Sequence, residues 1–85
     1  MSQANLRLLV VDDHTLFRQG LELLLVRQYP EALIFGASDA AEALGLISRH
    51  DQMDLVLLDL TLPDLHGPGD VRRFVERTHD SKVAI

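Results

Sequence analysis

Leu6-Arg7-Leu8-Leu9-Val10-Val11 runs straight into Asp12-Asp13, and this switch from apolar to doubly acidic decides the fold. A short run that is nearly all apolar reads as a strand buried on both faces, the habit of parallel sheets. The same figure returns at Asp54-Leu55-Val56-Leu57-Leu58-Asp59, where a third strand again delivers an aspartate at its C-terminal end. Between the two, the periodicity changes. From Thr15 to about Gln28, Phe17, Leu21 and Leu24 fall at i, i+4 and i+7, with Leu16, Gly20 and Leu23 beside them. This spacing predicts an amphipathic helix whose leucine-rich face belongs to the core. Pro30 helps to close it.

Ala32-Leu33-Ile34-Phe35-Gly36-Ala37 predicts a second strand. Asp39 and Glu42 then stand three apart, as in a capping box, ahead of Ala43, Leu44 and Ile47; a second helix ends near Arg49-His50. Thr61 to Gly69 is a loop punctuated by Pro63, Gly67, Pro68 and Gly69. Pro68 suits the first position of a third helix, whose inward stripe would be Val71, Phe74, Val75 and Thr78. Val83-Ala84-Ile85 begins a fourth strand. The order βαβαβαβ predicts an α/β fold: a doubly wound parallel sheet with helices on both faces and right-handed crossovers. There is no internal repeat, linker or low-complexity segment, so residues 1–85 read as one unit.

Composition bounds the function. A chain of 85 residues allows one small domain, burying roughly 60–65% of its unfolded surface. With 47% hydrophobic and 25% charged residues it reads as globular. A net charge of −5 argues against a general nucleic-acid-binding surface. The absence of cysteine excludes disulfides and thiolate metal sites. Met1-Ser2-Gln3-Ala4-Asn5 lacks the features of a signal peptide, and runs such as Leu23-Leu24-Leu25-Val26 are too short to span a membrane. The expectation is a cytoplasmic protein with no membrane contact.

Working sites of open parallel sheets lie beyond the carboxyl ends of the strands. Asp12 and Asp13 follow the first strand and Asp59 the third, so if these strands are neighbours the three carboxylates converge. Like charges in one pocket repel, and a cation resolves the conflict. Magnesium, a hard ion, suits one or two carboxylates, a backbone carbonyl and several waters. A carboxylate is also a nucleophile that forms an aspartyl phosphate. Taken singly, the same residues have plainer readings: an Asp-Asp pair is often a turn or a helix N-cap, and an aspartate before a proline-containing loop is often only a loop residue.

At this point the chain resembles the receiver domains of two-component response regulators, whose fold is flavodoxin-like. Leu9-Val10-Val11-Asp12-Asp13-His14 looks like the family's acidic-pocket strand. Gly36-Ala37-Ser38-Asp39-Ala40-Ala41-Glu42-Ala43-Leu44 is similar to its second strand and second helix. Asp54 to Leu60 looks like the phosphoacceptor strand, and Pro63 and Gly67 fit the loop that follows. The resemblance implies that Asp59 is the phosphorylated aspartate in a phosphorelay. It implies that Asp13 binds Mg2+ directly, that Asp12 acts largely through water, and that the Thr61 backbone carbonyl is a further ligand. It also implies a phosphohistidine on a sensor histidine kinase as the donor. Asp13-His14-Thr15-Leu16-Phe17-Arg18-Gln19-Gly20-Leu21 resembles the subgroup whose receiver precedes a helix-turn-helix DNA-binding domain. The parent would then be a transcription regulator that meets DNA only through a C-terminal domain absent from these residues.

The family also carries a serine or threonine at the end of its fourth strand and a lysine at the end of its fifth. This sequence stops at Ile85, and Lys82 precedes the expected fourth strand. The stretch therefore reads as the N-terminal portion of a receiver domain, incomplete in the sheet, holding the acceptor and the metal pocket. An open fourth-strand edge predicts weak stability, or a homodimer or swapped pair. The alternative function is a non-switching receiver that serves as an interaction or dimerisation module. A metal-dependent phosphatase, the third reading, needs an acid two residues past the nucleophile, where Thr61 stands; the chain reads as no enzyme. His14, His50, His66 and His79 lack the spacing of a zinc site. His14 has two readings, an electrostatic modulator of the adjacent pocket and a helix-start residue, of which the helix start is favoured. Arg18, Arg72, Arg73 and Arg77 read as solvated helix faces, with Arg18 near a surface that could meet a kinase. Gly67-Pro68-Gly69 is not a phosphate-cradling loop, because proline has no N–H and no lysine follows.

Overall fold

The computed structural model describes residues 6–50, 53–78 and 82–85. The elements are β1 (Arg7–Val11), α1 (Thr15–Gln28), β2 (Leu33–Ala37), α2 (Ala40–Arg49), β3 (Leu55–Leu58), α3 (Pro68–Arg77) and β4 (Lys82–Ala84). The four strands are parallel in the order β2-β1-β3-β4. This matches the first four strands of the flavodoxin-like order, which reverses direction between the first and third strands. The expected α/β doubly wound sheet is therefore present, and β1 and β3 are neighbours. The N-terminal pentapeptide and His79 lie outside the described residues. No described helix is long and apolar enough to cross a membrane.

Strand alternation sorts the side chains into two layers. Leu9 and Val11 of β1, Ala37 of β2, and Val56 and Leu58 of β3 point to one face. There they join Ala40 and Ala43 of α2, Phe74 of α3, Met53 and Leu62 in a single core. Met53 is fully buried and Leu62 nearly so, although neither lies in a regular element. Two fixed ends build this layer. At α2, Asp39 accepts from the Glu42 amide at 2.8 Å. Glu42 does not return the bond to Asp39, as a capping box would; it accepts from the Ser38 amide and hydroxyl at 2.9 and 3.1 Å. At α3, Gly67 is the N-cap at φ 96°, a conformation that favours glycine, and Pro68 follows in the first turn.

The opposite face corrects the sequence reading. α1 spans the expected residues and lies over β1 and β2, but none of its residues is buried. Leu16, Phe17, Leu23 and Leu24, read as core, are more than half exposed. The half-buried stripe is Arg18, Leu21, Glu22 and Leu25, at i, i+3, i+4 and i+7. Two of these four are charged, and they pair with each other at 3.4 Å over Gly36 of β2. A Cβ at Gly36 would stand 2.0 Å from Glu22 Oε2. The missing side chain thus makes room for an ion pair where the apolar pattern placed leucines. Apolar residues surround most of α1, so periodicity alone chose the wrong stripe.

Three smaller differences remain. Val75 of α3 is exposed, whereas Phe74 and Thr78 are buried as expected. Thr78 is tolerated there because its hydroxyl donates to the Val75 carbonyl at 2.9 Å. Lys82 begins β4 rather than preceding it, its amide donating to the Asp54 carbonyl at 3.1 Å, and Ile85 falls outside the strand.

The two layers predict unequal costs for the same substitution. Leu9→Ala, at a fully buried site, should cost about 2–5 kcal/mol. Leu24→Ala, on exposed α1, should stay within about 0.5 kcal/mol. Urea denaturation of both variants checks this; equal losses would contradict the layer assignment.

Candidate functional site

The parallel register carries past the ends of the strands. Val11 pairs with Ala37 on one side and with Leu58 on the other. The next amides continue the ladder: Asp12 donates to the Ala37 carbonyl at 3.0 Å, and Asp59 donates to the Val11 carbonyl at 3.1 Å. These two bonds fix where both acids leave the sheet. Asp12, Asp13, His14 and Asp59 consequently each present one ligand atom, all within 4.8 Å of one another. The three carboxylates expected to converge do so, and a fourth group joins them.

That group is His14, for which the sequence favours a helix start over an electrostatic modulator of the pocket. It is the N-cap of α1, but its side chain does not cap the helix. Its Nδ1 lies 2.8 Å from Asp12 Oδ1, 3.4 Å from Asp13 Oδ1 and 3.9 Å from Asp59 Oδ2. Its amide donates to the same Asp12 oxygen at 2.8 Å. The hydrogen bond to Asp12 comes first among the influences that raise the His14 pKa, followed by the charge of Asp13. Burial of Asp12 alone would push its carboxyl up; the amide and imidazole of His14 outweigh that and leave it below the ordinary carboxylate range.

Arg18 also departs from expectation. It is no solvated side chain: its Nη1 donates to the Asp12 carbonyl at 2.9 Å, and its Nε faces Glu22. The guanidinium thus brings positive charge beside the acidic group. Asp59 is held from its own loop. Thr61 donates to Asp59 Oδ1 twice, from its amide at 2.9 Å and from its hydroxyl at 2.7 Å, so Oδ2 is the oxygen turned toward His14. The other described histidines lie elsewhere: His50 packs on Phe35 with ring centroids 4.5 Å apart, and the His66 amide donates to Asp70. Arg72, Arg73 and Arg77 are exposed, as expected.

The donor set fits a hard divalent ion. Two ligands on opposite sides of one Mg2+ stand roughly 4 Å apart. A cluster within 4.8 Å needs only small side-chain rotations to close on such an ion.

One consequence is measurable. A raised histidine pKa adds stability that is fully present below the unfolded value and is lost as pH rises through the folded value. In metal-free protein the His14 ring should titrate above an ordinary histidine, and Asp12→Asn should move it back down. NMR titration of the ring protons checks this; a ring that titrates at or below the ordinary value would contradict the contact.

The family's sequence model, described as the response regulator receiver domain, matches residues 8–85. The chain is 38% identical over 63 residues to a glycerol metabolism activator of Pseudomonas putida, covering 74% of this chain and 28% of that protein. Among solved structures it is similar to a two-component response regulator of the LuxR family from Aurantimonas sp. SI85-9A1. There the TM-score is 0.75 and the identity 31%, covering 94% of this chain and 56% of the other. It is also similar to the signal receiver domain of an HD domain-containing protein from Pseudomonas fluorescens Pf-5, with TM-score 0.80 and identity 26%, covering 98% and 59%. The chain therefore spans between about a quarter and three fifths of the proteins it is compared with here. With almost its whole length matched and its acids at the ends of β1 and β3, the chain belongs to the response regulator receiver domain family of two-component signal transduction.

Proposed function

We propose that Asp59 is the phosphoacceptor and that Asp12, Asp13, Asp59 and the backbone carbonyl of Thr61 hold the Mg2+ that supports the transfer. The observation that carries this reading is the convergence of the three carboxylates at the ends of β1 and β3. The donor is a phosphohistidine of a sensor histidine kinase. An Asp59 carboxylate oxygen attacks phosphorus, the P–N bond breaks, and its electron pair returns to the imidazole, which takes up a proton. When bound, the ion neutralises charge on the phosphoryl oxygens. This chain's residues do the rest. Thr61 holds one Asp59 oxygen, and the ladder bond from the Asp59 amide fixes the depth of the side chain. His14, whose Nδ1 lies 2.8 Å from Asp12 Oδ1, would have to release that oxygen for Asp12 to hold the ion.

In this reading the chain is a stoichiometric acceptor rather than an enzyme, and it works in the cytoplasm. Residues 1–85 are the N-terminal portion of a receiver domain from a transcription regulator, which meets DNA through a separate C-terminal domain. The glycerol metabolism activator and the LuxR-family regulator support a regulatory parent by similarity. The exposed apolar residues of α1 support a homodimer or swapped pair.

Incubation with acetyl phosphate and Mg2+, followed by intact-mass measurement, tests the acceptor. The expected result is one phosphoryl-sized gain that disappears in Asp59→Asn and when the metal is chelated. No gain in a chain shown to be folded would overturn it.

A further inference from the structure

The loop from Asp59 to α3 is fixed at more than one point. Leu62 is buried in the core, and the Leu65 amide donates back to its carbonyl at 3.1 Å. Two residues past Leu62, Asp64 reaches a different element. Its Oδ1 accepts from the Ala40 amide and its Oδ2 from the Ala41 amide, each at 3.0 Å. These are the first two amides of α2, which no bond inside the helix can satisfy. Asp39 serves the next ones, accepting from Glu42 through its side chain and from Ala43 through its carbonyl. The α2 terminus is therefore capped by two acids, one local and one from 24 residues away.

The distant acid closes a ring around the acidic pocket. The Asp12 amide is bonded to Ala37 at the end of β2, and two residues, Ser38 and Asp39, carry the chain from there to Ala40. Asp64 links Ala40 and Ala41 to the loop, the loop returns to Asp59, and the Asp59 amide is bonded to Val11. Two joints of the ring are ladder bonds at the sheet edge. The third is made by the Asp64 side chain. Thr61 sits between Asp59 and the pegs at Leu62 and Asp64.

We propose that Asp64 is a positioning residue. By clamping the loop to the N-terminus of α2, it sets the Thr61 peptide against Asp59 and so tunes the affinity of the pocket for Mg2+. Asp64 touches neither metal nor phosphorus. The inference rests on the metal reading above, because it supposes that the Thr61 carbonyl is a ligand. Supports that orient metal ligands typically matter tenfold or more in metal affinity.

The test is Mg2+ titration of the isotope-labelled chain, followed through the amide signals of Asp59 and Thr61, beside three variants. Asp64→Ala should raise the Mg2+ Kd about tenfold or more, and the Thr61 amide shift should already differ without metal. Asp64→Asn, which keeps one acceptor oxygen, should fall between Asp64→Ala and the unaltered chain. Asp39→Ala uncaps the same helix end but keeps the clamp; it should lose stability in urea while holding the original Kd. Unchanged affinity in a folded Asp64→Ala, or an equal loss in Asp39→Ala, would overturn the clamp and leave the metal reading standing. Failure of the unaltered chain to bind Mg2+ at Asp59 and Thr61 would overturn both.

Discussion

The pairing of β1 with β3 is the constraint on which the rest depends. Parallel register sets Val11 opposite Leu58, and the Asp59 amide extends that ladder by one bond to the Val11 carbonyl. Two acids that lie 47 residues apart in sequence, Asp12 and Asp59, thereby leave the sheet at the same depth. A slip by one residue would turn every β3 side chain to the other face. It would remove Val56 and Leu58 from the core and Asp59 from the pocket together. Packing and site geometry are thus specified by one register, and the buried layer against α2 and α3 holds that register in place.

Such a placement carries an electrostatic cost, and the chain offsets it locally. Three carboxylates in one pocket repel. His14 answers from the start of α1, Arg18 from one turn further along, and Thr61 from the loop after β3. The responses differ in kind. Thr61 donates hydrogen bonds and keeps Asp59 ordered. Arg18 carries fixed charge but directs it to the Asp12 carbonyl and the Glu22 carboxylate, away from the carboxylates of Asp12, Asp13 and Asp59. His14 alone reaches all three acids from the ring, while its side chain stays 68% exposed.

Much of this was legible in the sequence, for a physical reason. Strands that end in acid after an apolar run are read from order alone, so β1, β3, Asp12, Asp13 and Asp59 were all located without coordinates. The Asp39 cap was read from spacing. What failed was whatever needed partner identity. The sheet-facing stripe of α1 is Arg18-Leu21-Glu22-Leu25 because Gly36 leaves space for an ion pair, and no helical periodicity contains Gly36. His14 looked like a helix start because its distance to Asp59 is invisible until β1 and β3 pair. Asp64 drew no attention inside a loop; its partners are two backbone amides 23 and 24 residues earlier. Met53 and Leu62 are buried outside regular elements, where periodicity has nothing to count.

Everything proposed for the pocket follows from which carboxylate receives the phosphoryl group. An acyl phosphate is reduced by borohydride to the alcohol, so a phosphorylated aspartate becomes homoserine, and peptide mass spectrometry then reads its position. Treating the phosphorylated chain in this way should place homoserine at position 59 and leave Asp12 and Asp13 unaltered. Homoserine at position 12 or 13 would contradict the assignment of nucleophile and metal ligands that the strand register supports.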